Sequence, residues 1–170
     1  MGRVIDEDGL SMSKEKIETV LNFPFPNEIT SLRGFLDLAN YFRQFVPFHS
    51  EMIKPLQMMV DPKALKRAPI YWTPKGTIAF NETMIAVSRC PLIYFINDHS
   101  PIKLYTDASD YGIGGVLFQI VEDVWRPIAF ISKSLSATQI NWSKLMLTFT
   151  VANNLIISFE IVSSLFIWII

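Results

Sequence analysis

The residue type that could do chemistry in this chain is the carboxylate, and one carboxylate stands where a strand gives way to a turn. Ile102, Leu104 and Thr106 alternate with Lys103, Tyr105 and Asp107, the period of two that sends successive side chains to opposite faces of a sheet. Asp107 therefore points away from the Leu104 side, at the end of its strand. Metal-assisted hydrolysis needs several such acids within a few ångströms, whereas a solvated turn residue needs none; the spacing by itself accommodates both. Other reactive types offer less. His99 sits in the turn of residues 97–101, and reads as a turn residue rather than a catalytic one. Cys90 is the single cysteine, which excludes an internal disulfide and leaves too few ligands for a zinc site. Beside Pro91 it reads as packing.

The elements that must position Asp107 are short strands. Residues 108–112 carry turn types, and Gly112, Gly114 and Gly115 give the backbone freedom where the chain reverses. Residues 116–118 form a return strand and residues 126–132 a third, joined through the polar Glu122 and Asp123. An antiparallel meander is expected. Upstream the pattern is helical. Ser13 caps a helix through Ile17, Val20 and Leu21, stopped by the prolines at 24 and 26. Thr30 opens a second helix, whose stripe of Leu32, Phe35, Leu36, Ala39, Phe42 and Val46 runs to Pro47. A third begins near Ser50, and Pro55 within it is tolerable only near its first turn. Residues 61–69, bracketed by prolines and rich in charge, read as a linker. Thr73 as cap and Pro74 at the first helical position then start a fourth helix that runs to Pro91, followed by an extended segment at 92–96.

With 170 residues, half of them apolar, the chain has material for one ordinary domain or two small ones. Its formal net charge of −1 carries no whole-chain signature of nucleic-acid binding, so any such surface must be local. Between residues 30 and 75 there are seven basic residues, Arg33, Arg43, Lys54, Lys63, Lys66, Arg67 and Lys75, against three acids, Asp37, Glu51 and Asp61. That surplus suits phosphate contact, and it equally suits an ordinary solvated helical face. The N-terminus is too short and polar for a signal peptide, which points to an intracellular protein, cytoplasmic or nuclear.

The run YTDASDYGIGGVLFQ from Tyr105, followed by RPIAFISKSLSATQINWS from Arg126, closely resembles the opening of the ribonuclease H domain of gypsy-type LTR retrotransposon polyproteins. Upstream, GLSMSKEKIETVLNFPFPNEITSLRGFLDLANYFRQFVPFHSEMIKPL resembles the thumb of the same polyprotein's reverse transcriptase. The resemblance implies a mixed α/β (α+β) chain. Residues 1–60 would be the end of the palm and the thumb-like helices, 61–72 a linker, and 73–170 a truncated ribonuclease H-like half with a three-stranded antiparallel sheet and a packed helix. It implies RNA–DNA hybrid or duplex nucleic acid as partner rather than a small molecule, with Arg43, Lys54 and Lys66 as candidate phosphate contacts. The oligomeric state stays open. Polymerase activity is not expected, because the paired aspartates of that active site are absent: the chain contains no Asp-Asp step.

In the resembled family four carboxylates hold two Mg2+ ions. Asp107 matches the first, and is the candidate catalytic and metal-ligating residue. Where the family has glutamates in the following helix, this chain has Met146 and Thr148, with Thr148 at the ligand position. A neutral hydroxyl is a poor magnesium ligand. Glu160, the only acid after Asp123, would lie ~18 Å from Thr148 along a continuous helix, too far to substitute. The later acids belong to a strand and helix expected to be missing. Weak or absent Mg2+ binding follows, and with it an inherited enzymatic label on a chain inactive alone. The alternatives are a non-catalytic nucleic-acid-binding or interaction module using the thumb surface, and a nuclease completed by acids from another chain. The apolar tail, residues 155–170, is interrupted by Glu160 and three serines and is short of the ~20 apolar residues of a membrane span. It is expected to continue a helix laying Leu145, Thr148, Phe149, Ala152 and Ile156 on the sheet and then to fray; a frameshifted end or an anchor are the rival readings.

Overall fold

The computed structural model describes residues 2–61, 63, 65, 67–97, 99–109, 112–136, 138, 139, 146, 168 and 169. Two bodies of packing are present, and each follows from the sequence pattern of its elements.

The first is built on four helices. Ser13 accepts a hydrogen bond from the Lys16 N–H and caps α1 (Lys14–Leu21), as expected of a serine at that position. The second helix, α2 (Ile29–Asn40), begins one residue before Thr30 and ends well short of Val46. Its N-cap, Glu28, makes no side-chain cap bond. Instead the far end of the linker returns to the helix entrance: Ile29 N–H donates to the Ala68 carbonyl at 3.0 Å and Ile70 N–H to that of Asn27 at 3.2 Å. Beyond Asn40 the chain passes into tight turns that still bury Phe42, Phe45 and Val46. An apolar stripe can therefore continue after helical hydrogen bonding stops, which is why its spacing overstated the helix.

In α3 (His49–Met58), Pro55 lies well past the first turn, where it was not expected. The N–H it lacks would have met the carbonyl of Glu51, an exposed residue whose carbonyl water can serve, so a ten-residue helix tolerates the loss. Thr73 accepts from the Gly76 N–H at 3.0 Å and caps α4 (Pro74–Ser88) with Pro74 inside the first turn. Phe35, Phe80 and Trp72 meet ring to ring, and the shared core holds Val20, Leu32, Ile53, Leu56, Ala79 and Val87. α4 thus packs with the helices on the other side of the linker. A small antiparallel sheet, β1 (Arg3–Ile5), β2 (Gly9–Met12) and β3 (Ile93–Tyr94), closes this body by joining the N-terminal hairpin to the segment after α4.

The second body is the expected meander, β4 (Ile102–Ala108), β5 (Gly112–Val121) and β6 (Val124–Ser134). Glu122 and Asp123, both at positive φ, form the two-residue hairpin turn that matches strand twist. Leu104, Leu117 and Ala129 pair across the three strands and bury one face. At its edge Gln119 is buried, accepting from Asn97 N–H at 2.7 Å and donating to the Asn97 and Ser100 carbonyls.

Near the end of the chain, where a frayed tail was expected, two residues are in a strand. Trp168 and Ile169 form β7, parallel to Lys103 and Leu104, so the sheet has four strands in the order β6-β5-β4-β7. Parallel pairing satisfies backbone groups that a frayed apolar end would leave exposed, and the sheet has one strand more than the expected three. The expected helix over residues 144–159, Thr148 included, lies outside the described residues. Among the described residues no helix is long and apolar enough to cross a membrane.

Candidate functional site

Asp107, Gly114 and Ser132 form one cross-strand row: Asp107 pairs with Gly114, and Gly114 with Ser132. Directly paired residues share a face, so all three lie on the face opposite Leu104. Further along that face lies an aromatic cluster. Tyr105, Phe118 and Trp125 pack with ring centroids 5.8–6.1 Å apart, and the Lys103 ammonium sits 4.9 Å over Trp125.

The start of α3 is seated on this row. Ser50 N–H donates to Ser132 Oγ at 2.7 Å, and Arg43 donates to the Ser132 carbonyl at 3.1 Å. Phe48, in left-handed backbone (φ 52°, ψ 28°), places its ring where a Cβ on Gly114 would stand. Left-handed φ in a bulky residue is strained, and the ring's fit over a glycine is what holds it. Glycine in a strand interior marks such a close approach.

Asp107 itself is exposed, with Oδ1 accepting the Ala108 N–H at 2.9 Å. The crevice beside it is lined by Phe48, Glu51, Ser109 and Gly114 among others and has a cavity volume of about 10 Å3, room for roughly one water. Glu51 is the second acid there. Among the described residues no cluster of three or more His, Cys, Asp or Glu could hold a metal ion, so this donor set does not fit a two-metal centre of the kind the resembled family uses.

Of the expected phosphate contacts, Arg43 is exposed and partly engaged by Ser132, Lys54 is half-buried on α3, and Lys66 lies outside the described residues. Lys133, missed from sequence because it lies beyond the basic stretch of residues 30–75, reaches the same cleft as Arg43 in the fold. Both line a polar cleft between α3 and β6. His49, also missed, is buried there and its Nε2 contacts the Ala39 carbonyl at 3.0 Å, which requires the ring to donate. Burial holds its pKa below the ordinary 6.5, the Ala39 bond opposes this, and the Arg43 charge adds to the lowering.

The profile of a family described as "RNase H-like domain found in reverse transcriptase" matches residues 72–160. The chain belongs to that family. It is 27% identical over 150 residues to the retrovirus-related Pol polyprotein from transposon opus of Drosophila melanogaster, covering 84% of this chain and 15% of the relative. To the transposon Tf2-3 polyprotein of Schizosaccharomyces pombe it is 32% identical over 144 residues, covering 84% of this chain and 10% of the relative. The chain therefore spans a small part of the polyproteins it matches. Among solved structures it is similar to the foamy viral protease-reverse transcriptase in complex with RNA/DNA hybrid (TM-score 0.72, 25% identity, 99% of this chain and 23% of that one). The same enzyme in complex with dsDNA aligns with equal score over 35% of its chain. A gypsy-type retrotransposon origin is consistent with these relatives. RNase H-like domains of this kind generally work with a divalent metal.

Proposed function

We propose that this RNase H-like chain binds duplex nucleic acid, an RNA–DNA hybrid in particular, through backbone phosphates, and that it does not cut the RNA strand on its own. The division at residues 61–72 between thumb-like helices and an RNase H-like half is part of the same proposal, a statement about origin rather than about packing. The observation that carries it is the composition of the row. Asp107 is followed across the sheet by Gly114 and Ser132, the latter two covered by α3, with Glu51 the other acid at the crevice. One carboxylate and a neighbour cannot organise two magnesium ions. Support for a duplex partner comes from the nucleic-acid complexes of the foamy viral enzyme and from the basic surplus between residues 30 and 75.

The test is a labelled RNA–DNA hybrid incubated with the whole chain and Mg2+ or Mn2+, with binding and RNA release both followed. Binding without release is expected. Metal-dependent release that disappears in Asp107→Asn would show a complete nuclease site, and absence of binding at low salt would remove the duplex partner.

A further inference from the structure

The polar cleft between the helices and the sheet has a cavity volume of about 360 Å3, the share of liquid occupied by on the order of ten waters. Its walls include Asn40, Arg43 and Gln57 from the helical side and Lys133 and Ser134 from β6. Among the described residues two cations line it and no carboxylate does; Glu51, the acid on α3, lines the Asp107 crevice instead. His49 contributes no positive charge near neutral pH, since burial favours its neutral form. Arg43 is held at one end by the Ser132 carbonyl, 3.1 Å away, which leaves the other donors of its guanidinium fork uncommitted by that bond and already oriented. Amide and hydroxyl groups from Asn40, Gln57 and Ser134 surround the same space. Arg43 and Lys133 are both exposed at the cleft, and an anion placed between them is attracted by both charges.

We propose that this cleft is a phosphate-binding site built jointly by the two bodies, taking one phosphodiester of a nucleic-acid backbone between Arg43 and Lys133. The proposal deepens the duplex-binding reading and rests on it for the source of the phosphate. It adds a contact from the sheet side that a thumb surface alone lacks, so a bound backbone would bridge both bodies.

The experiment measures binding of a fluorescent RNA–DNA hybrid to the whole chain across a NaCl series, for the native protein, Lys133→Gln, Gln57→Glu and Lys54→Gln. Lys54 is outside the cleft lining and reports on the thumb surface alone. Loss of one phosphate contact lowers the log–log salt slope by about one; that change is expected for Lys133→Gln, with weaker binding at every salt concentration for Gln57→Glu. Native far-UV circular dichroism in both variants confirms that the fold is kept. If Lys54→Gln changes the slope while both cleft variants bind as the native chain does, the cleft proposal is overturned and duplex binding stands. If the native chain binds no hybrid, the duplex reading fails and inorganic phosphate decides the cleft. A melting temperature raised by phosphate over chloride at matched ionic strength, and not raised in Gln57→Glu, marks a free-phosphate site; no rise in the native chain overturns the site altogether.

Discussion

The ring of Phe48 occupies the space that a side chain on Gly114 would need. These residues belong to different bodies of the fold, and their contact seats the start of α3 on the Asp107 face of the sheet.

Gly114→Ala should destabilise the chain by about 1–3 kcal/mol, the usual cost of forcing extra volume into a packed site. Phe48→Ala removes the obstacle, so the double variant should lose less than the sum of the single losses. Urea denaturation of the four proteins gives the coupling directly. Additive losses would mean that the two residues do not meet.

Stability should depend on His49 in mildly acidic solution. Its folded pKa lies below the unfolded value of 6.5, so the unfolded chain binds the proton more readily. The contribution is fully present above pH 6.5 and is lost as pH falls from there through the folded pKa. In His49→Gln, where the side-chain amide can still donate to the Ala39 carbonyl, the fall in melting temperature between pH 7 and pH 5 should be shallower. An unchanged profile would place the buried titration elsewhere.

The Cys90 thiol, half-buried against the helical core, has its pKa pushed up to about 12 by burial. At pH 8 its alkylation by iodoacetamide should be on the order of a thousandfold slower than that of an ordinary thiol, and denaturant should restore the rate. Fast labelling of the native chain would contradict its placement.

The salt dependence of duplex binding should flatten when Arg43, Lys54 and Lys66 are all replaced by glutamine, because each lost phosphate contact releases one fewer set of counterions. Fluorescence anisotropy over a salt series measures this. An unchanged slope in the triple variant would take these residues out of the interface.

Local chemistry was legible in the sequence. Ser13 and Thr73 cap the helices they were expected to cap, because the bond is made within three residues. The β4–β6 meander follows from alternation and turn types, which act over similar distances. The extent of α2 was overstated because Phe42 and Val46 are buried without being helical; an apolar period reports burial and not hydrogen bonding. The joint was invisible. Phe48 with Gly114, Ser50 with Ser132 and Arg43 with Ser132 are far apart in the chain, and no local pattern announces such meetings. One signal was available, since a glycine in a strand interior such as Gly114 often marks close approach by another group. Lys133 lies beyond the basic stretch of residues 30–75, and only the meeting of α3 with β6 brings it to the cleft that Arg43 lines.

The parallel pairing of Trp168 and Ile169 with Lys103 and Leu104 also sets an order of assembly. The hairpin contacts of β4, β5 and β6 join near neighbours in the chain, whereas the fourth strand must close a loop spanning most of the second half of the protein. Long-range closure is entropically costly and slow. As the chain leaves the ribosome, the meander can form while its open β4 edge waits for residues still unsynthesised. Until they arrive, that edge is a template for any other strand, and a crowded translation site is where the chain is most exposed to pairing with its own copies.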